Sequence, residues 1–254
     1  MSGVMDHPLR SAWTAGRPAL GAWLLTADTL VAQTVAGLGF DYVGVDAQHG
    51  AATDASTQEL VAALAPRTTP LVRVRQNDAG LIGRALDAGA FGVVVPLVES
   101  AEQAAAAVAA CRYPPGGLRS FGPARARALH GGDYAQRADA AVCCIPMIET
   151  AAGLARVDEV LAVPGVDGVY VGPADLSLSL GLPALLDQDD ARFDDALAAV
   201  VASARRHGVP AGVHASAALA GKRLAQGFTM VTVAVDQSVL TEGMRFALDR
   251  GRAG

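Results

Sequence analysis

The chain has 254 residues, 52% of them hydrophobic and 18% charged, with a formal charge of -5. That suits one large α/β domain with a sizeable core. The acidic balance, with no run of Lys or Arg longer than two, argues against nucleic-acid binding. No apolar run reaches the roughly 18 uncharged residues of a membrane span. The N-terminus, with Asp6, His7, Pro8 and Arg10, lacks the basic-then-apolar order of a signal peptide. A cytoplasmic protein is therefore expected, with Cys111, Cys143 and Cys144 as reduced thiols.

Strand-like and helix-like stretches alternate along the chain. Residues 1–19 come first and predict a helix or arm across the bottom of the fold. Then follow strand 20–25, helix 28–38, strand 42–46, helix 56–65, strand 71–74, helix 79–88, strand 92–96 and helix 100–111. After an interruption come strand 141–148, helix 151–162, strand 168–171, helix 191–207, strand 210–213, helix 215–226, strand 229–235 and helix 238–250. Such strands read as continuous apolar, β-branched runs because both faces are covered. Glycines at helix exits (Gly37, Gly39, Gly89, Gly227) precede the next strand. Eight βα units in about 250 residues predict a single-domain (β/α)₈ TIM barrel over 1–254. A doubly wound open sheet is the runner-up; it would need fewer strands or a composition break. Residues 112–139 are too long for an ordinary connection and contain Arg119, Arg125, Arg127 and His130. They predict a lid or an inter-subunit segment, with a solvated insertion as the plain alternative.

Polar groups collect just past the strand ends, the face where a parallel barrel carries its chemistry. They are Asp46, Gln48 and His49; Arg73, Arg75 and Asp78; Glu149; Asp175; His214; and Asp236. Glu149 and Asp175 follow successive buried strands, and two hard oxygen ligands with open positions beside them suit Mg²⁺ or Mn²⁺. His49 could be a general base or a metal ligand, with Asp46 three residues back. Arg73 lies in an apolar strand. It is suited either to a carboxylate or developing enolate oxygen, or to a buried ion pair with a barrel acid such as Asp46. Gly172-Pro173-Ala174 forms a small-residue turn whose N–H groups can approach a carboxylate. His214 and Asp236 stay open between a structural and a rim role. There is no Walker loop or dinucleotide fingerprint. The turns after the last two strands lack Gly, which disfavours a phosphorylated substrate. Lys222, the only lysine, falls in a helix, so Schiff-base chemistry lacks its nucleophile. Metal-assisted enolate chemistry on a small, oxygen-rich substrate fits what remains.

These pieces, in this order, resemble the HpcH/HpaI aldolases, the class II metal-dependent pyruvate aldolases. The carriers are Gly21-Ala22-Trp23, Gly39-Phe40-Asp41, Val45-Asp46-Ala47-Gln48-His49, Val72-Arg73-Val74, Asn77-Asp78, Leu86-Asp87-Ala88-Gly89-Ala90 and Arg112-Tyr113-Pro114-Pro115-Gly116-Gly117-Leu118-Arg119. Ile148-Glu149-Thr150, Val166-Asp167-Gly168 and Gly172-Pro173-Ala174-Asp175-Leu176-Ser177 complete the set. The resemblance implies reversible cleavage of 4-hydroxy-2-oxo acids to pyruvate and an aldehyde. It implies Glu149 and Asp175 as ligands of Mg²⁺, Mn²⁺ or Co²⁺, His49 as base, and Asp87 as the acid that raises its basicity. Arg73 would stabilise enolate charge, and Asp46 would stand behind the metal through water. Met147, Gly172, Ala174 and Asp175 would border the substrate. A homo-oligomer, a hexamer, is implied too, with 112–139 or 238–250 at an interface. Gln48, Ser120 and Met147 depart from the family's frequent Glu, Gly and Gln, and Met147 loses a polar contact to the oxo acid. Two other readings compete: a CoA-ester lyase of the citrate-lyase-β kind, whose only basic stretch would be 119–127, and a non-catalytic metabolite-binding barrel.

Overall fold

In the computed structural model, which describes residues 5–253, eight parallel strands close into a barrel in sequence order. They are β1 (Ala19–Leu24), β2 (Tyr42–Asp46), β3 (Thr69–Arg73), β4 (Gly92–Val95), β5 (Cys143–Ile148), β6 (Val169–Val171), β7 (Ala211–His214) and β8 (Met230–Val235). The helices are α1 (Pro8–Thr14), α2 (Thr29–Ala36), α3 (Asp54–Leu64), α4 (Ala79–Asp87), α5 (Ala101–Cys111), α6 (Ala124–His130), α7 (Tyr134–Ala141), α8 (Ala151–Ala155), α9 (Val157–Leu161), α10 (Pro173–Ser179), α11 (Ala191–His207), α12 (Ala220–Gln226) and α13 (Asp236–Ala253). This is the expected (β/α)₈ architecture. Among the described residues no helix is long and apolar enough to cross a membrane.

Local chemistry accounts for most boundaries. Asp28, Asp78, Ser100 and Asp190 each cap a helix by accepting a backbone N–H of its first turn. Gly208, at φ 67, ends α11 in the left-handed conformation that glycine adopts without strain. The stretch expected as one helix over 151–162 is two short ones, broken at Arg156. The helix expected over 215–226 starts only at Ala220. Pro173 at its first position starts α10, a helix that the turn reading of Gly172-Pro173-Ala174 overlooks.

The core has two layers. Strand residues facing outward pack under the helices, with Val43, Val45, Val72, Val93 and Val213 fully buried. Inside the barrel lie Trp23, Tyr42, Leu71, Val94, Ile145, Met147, Tyr170 and Met230. The large rings fit because neighbouring strands carry glycine. A Cβ on Gly44 would lie 2.3 Å from the Trp23 ring, and one on Gly21 would lie 2.2 Å from Tyr42. The lower end is plugged by α1, whose Leu9 and Ala12 join the inner cluster. The Leu9 N–H donates to Thr69 Oγ1 at 3.0 Å. The expected arm across the bottom is thus a helix; its residues 1–4 lie outside the described residues.

Residues 112–139 do not form a lid. They follow the lower end of α5 and lead into β5, so they sit at the N-terminal end of the barrel, opposite the strand ends that bear the chemistry. They hold α6 and α7, with Tyr134, Ala126 and Ala138 buried against Phe91. Leu118 and Phe121 stand exposed there, which leaves the inter-subunit reading open.

Candidate active site

At the C-terminal rim, β2 and β3 pair with Asp46 opposite Arg73. Arg73 Nε donates to Asp46 Oδ1 at 3.0 Å, and its Nη2 donates to Oδ2. Asp46 also accepts from Trp23 Nε1 at 3.2 Å and from the backbone N–H groups of Gln48 and His49 at 3.0 Å each. Burial pushes the Asp46 carboxyl up, but the hydrogen-bonded Arg73 guanidinium outweighs it and holds the group below its ordinary value. The ion pair offered as the alternative for Arg73 is therefore made. The same carboxylate ties down the turn that carries His49, whose side chain reaches an exposed rim.

Glu149 follows β5 and is buried. Its Oε1 accepts the Leu97 N–H at 2.8 Å, presented by a residue with φ 55, a strained backbone conformation for a leucine. Gly172 makes room for its other oxygen: a Cβ there would lie 2.6 Å from Glu149 Oε2. Burial raises the Glu149 pKa, the Leu97 N–H offsets part of this, and the neighbouring Asp175 charge raises it further. Asp175 itself is exposed in the first turn of α10.

A cavity of about 220 Å³ opens at this rim; Asp175 lines it, while Glu149 and Asp46 lie behind its wall. His49, Arg73, Gly172, Ala174 and Asp175 line one part, and Trp23, Met147, Tyr170, Leu186 and His214 the rest. The donor chemistry fits a divalent cation. Two carboxylates lie near one another, one of them buried, and the nearest guanidinium is already bonded to Asp46. Among the described residues no three His, Cys, Asp or Glu side chains gather into a protein-only cation site. A cation held here would keep positions for water or substrate oxygens, as Mg²⁺ and Mn²⁺ do.

Other expectations fall elsewhere. Asp87 is not brought to His49 within the chain. It ends α4 at the opposite end of the barrel and accepts from Arg119 Nη2 at 2.8 Å. Asp236 is structural: it accepts the N–H groups of Leu25 and Thr26 at 2.9 and 3.0 Å and so joins β1 to the start of α13. Asp78 caps α4, and Arg75 Nε donates to the Ala47 carbonyl. Gln48 is half-buried, and its Oε1 has no hydrogen-bond partner. The three cysteines are buried and free. Burial pushes the Cys143 thiol up to about 12, so it is no nucleophile. Sequence reasoning missed Trp23, Tyr170 and Leu186 as cavity walls. Trp23 carried a signal, because an inward indole needs an acceptor for its N–H. Leu186 lies in a loop with no periodic pattern to read.

A closed parallel barrel carries a carboxylate pair, an arginine and a histidine at its C-terminal rim, the end where enzymes of this architecture keep their active sites. The description HpcH/HpaI aldolase/citrate lyase matches residues 19–242. The hydroxypyruvate/pyruvate aldolase of Rhizorhabdus wittichii is 38% identical over 249 residues, covering 97% of this chain and 99% of that protein. The 4-hydroxy-2-oxo-heptane-1,7-dioate aldolase of Salmonella arizonae is 36% identical over 249 residues, covering 94% and 92%. The crystal structure of an HpcH/HpaI aldolase/citrate lyase family protein from Burkholderia cenocepacia superposes with a TM-score of 0.90 at 33% identity, over 97% of this chain and 100% of that one. The chain belongs to the HpcH/HpaI aldolase/citrate lyase family. It is an enzyme, a carbon–carbon lyase of the aldolase kind.

Proposed function

We propose that this enzyme is a divalent-metal-dependent aldolase that reversibly cleaves 4-hydroxy-2-oxo carboxylic acids to pyruvate, or a related 2-oxo acid, and an aldehyde. Glu149 and Asp175 would hold Mg²⁺ or Mn²⁺, with Co²⁺ also suited. Bound there, the ion supplies a Lewis acid for the keto and carboxylate oxygens of the oxo acid. The turn Gly172-Pro173-Ala174 borders the same cavity, and its backbone would help to seat that carboxylate. His49 takes the proton of the 4-hydroxyl as the C3–C4 bond breaks, and returns it in the condensation direction. Arg73, held in place by Asp46, faces the charge that develops on the pyruvate enolate. Asp87 can serve His49 only from a second copy of the chain, because its own barrel lies between them.

The observation that carries this reading is the Glu149–Asp175 pair. Glu149 is buried and raised in pKa, Gly172 clears space at its free oxygen, and the nearby guanidinium is bonded elsewhere. The CoA-ester reading draws no support from 119–127. Arg119 is buried and bonded to Asp87 and Tyr134, at the far end of the barrel from the cavity. The test is pyruvate with a panel of aldehydes, comparing Mg²⁺, Mn²⁺ and Co²⁺ with chelator. Carbon–carbon bond formation that persists undiminished in chelator would overturn the metal assignment.

A homo-oligomer belongs to the same proposal, with a hexamer implied by the resemblance. No residue of α13 is buried, and Val239, Leu240, Met244 and Phe246 are exposed along it. Beside it an apolar groove of about 510 Å³ opens over β1, β8 and α2, lined by Leu24, Leu30, Val31, Val35 and Leu38. An outer helix would cover that groove in a complete barrel. The apolar helix and the open groove support association with a second copy.

A further inference from the structure

The catalytic cavity holds one polar side chain that neither the metal site nor the proton transfer uses. His214 ends β7, the strand paired with β6, and lines the same cavity as the Gly172–Asp175 turn that follows β6. Its ring stands edge-on to Trp23, centroids 5.6 Å apart at 88°, which fixes its plane. The other polar groups lining the cavity are occupied or assigned. Arg73 is bonded to Asp46 through two nitrogens. The Tyr170 hydroxyl is bonded to Thr232 inside the barrel. Asp175 and His49 have the roles given above. Among the described residues the His214 side chain makes no hydrogen bond, and the residue is half-buried.

Resting on the aldolase reading, we infer that His214 selects the aldehyde. It hydrogen-bonds a hydroxyl next to the reacting carbonyl, so that the site takes neutral hydroxyaldehydes in preference to alkyl aldehydes and to semialdehydes bearing a carboxylate.

Three physical points lead there. Burial lowers the His214 pKa to about 4, and the Arg73 charge adds to this while Asp46 opposes it, so the ring is neutral at ordinary pH. A neutral imidazole offers one donor and one acceptor, the complement of a hydroxyl. An alkyl aldehyde of the same size would displace water from the imidazole and give nothing back, leaving a polar group unpaired. A second carboxylate would fare worse. Among the described residues Arg73 is the only Lys or Arg lining the cavity, and it already serves Asp46, so that charge would meet no free cation. Trp23, Met147 and Leu186 make the rest of this wall apolar, so no neighbouring side chain supplies the missing bond.

The experiment compares glycolaldehyde, propanal and succinic semialdehyde as acceptors for pyruvate with Mn²⁺, with concentrations counted as free carbonyl. Glycolaldehyde and propanal differ by a hydroxyl in place of a methyl. The wild-type enzyme is expected to favour glycolaldehyde over propanal by about tenfold in kcat/KM, the scale of one neutral hydrogen bond. Succinic semialdehyde should be the poorest of the three. His214→Leu should bring the glycolaldehyde-to-propanal ratio close to one, and His214→Gln, which keeps a donor and an acceptor, should retain part of it. The ratio is taken within each variant, so it does not depend on the active fraction. A ratio unchanged in His214→Leu, or a wild type without preference, overturns the inference and leaves the aldolase reading standing. Loss of Mn²⁺ binding in His214→Gln, read by calorimetry, also overturns it, since His214 would then be a ligand. No metal-dependent addition to any aldehyde by the wild type would remove the aldolase reading and this inference together.

Discussion

Asp46 and Arg73 face each other across adjacent strands, and the carboxylate has no exposure to solvent. The pair orients the one arginine of the cavity and, through the N–H groups of Gln48 and His49, the turn that carries the histidine. Arg73→Ala leaves Asp46 buried without its cation. It should therefore cost about 3–5 kcal/mol in urea unfolding as well as activity. Asp46→Asn combined with Arg73→Met removes both charges and should recover most of that stability but no activity. A single Arg73→Ala variant as stable as the wild type would mean that the buried carboxylate is served by Trp23 and the backbone alone.

Glu149→Ala and Asp175→Ala should each abolish metal-dependent turnover while the fold survives, because a site with two protein ligands cannot spare one. Gly172→Ala tests the same site without deleting a ligand. Its methyl would lie 2.6 Å from Glu149 Oε2, so the carboxylate must move. Mn²⁺ affinity measured by calorimetry should fall by about 10- to 100-fold, the usual effect of disturbing a ligand's support. Full affinity in Gly172→Ala would mean that Glu149 does not bind through that oxygen.

The chain should not be a monomer. Removing residues 238–254 deletes most of α13 and its apolar residues. The shortened chain should lose the wild-type assembly in light scattering and expose the groove over β1 and α2 to an apolar dye. A concentration-independent monomer mass for the intact protein would rule out the oligomer proposal.

The barrel was legible because its strands are apolar on both faces, as Val93-Val94-Val95 and Val43 to Val45 illustrate, and because capping residues such as Asp78 and Ser100 mark helix starts. The rim was legible because Asp46, Arg73, Glu149 and Asp175 sit at or just past apolar runs, where a charge needs a reason. What could not be read was the third dimension of the connections. Asp87 and Arg119 are 32 positions apart and meet at the wrong end of the barrel for His49, a relation no local pattern encodes. Residues 112–139 look like a lid by length and composition. Only the direction of α5 shows that they lie at the bottom. The role of His214 is not legible in the sequence, because a histidine at a strand end reads the same whether its ring faces a cavity or a neighbour.

Acid should loosen the α1 plug. His7 is buried, and its pKa is lowered to about 4, first by burial and then by the Arg10 charge. The unfolded chain takes up that proton near pH 6.5, so between about 6.5 and about 4 unfolding is proton-coupled and stability falls as pH falls. The shift is worth up to about 3 kcal/mol, fully present above pH 6.5. His7→Gln should flatten this part of the stability profile, measured by urea unfolding at fixed pH steps. It should not abolish the slope, because burial also lowers His130 and His214. An unchanged profile in His7→Gln would mean that the ring protonates without leaving its place.

His49 separates two reactions that share a site. Cleavage of a 4-hydroxy-2-oxo acid needs a base for the hydroxyl proton as the C–C bond breaks. Decarboxylation of oxaloacetate needs enolate stabilisation but has no hydroxyl to deprotonate. An imidazole suits the first task because one ring nitrogen can take the hydroxyl proton and return it. His49→Ala should therefore lower aldol cleavage by about 10²- to 10⁴-fold, the usual share of a positioned base. Metal and pyruvate binding should change little, since the His49 side chain stands on the exposed rim while its backbone N–H anchors to Asp46. Arg73→Ala should damage both reactions, because both develop the charge that the guanidinium faces. The comparison is a ratio of cleavage to decarboxylation measured in each variant: it should fall steeply for His49→Ala and stay near the wild-type value for Arg73→Ala. Equal losses of both reactions in His49→Ala would make this histidine a ligand or a structural residue, and the base would have to be sought elsewhere on the rim.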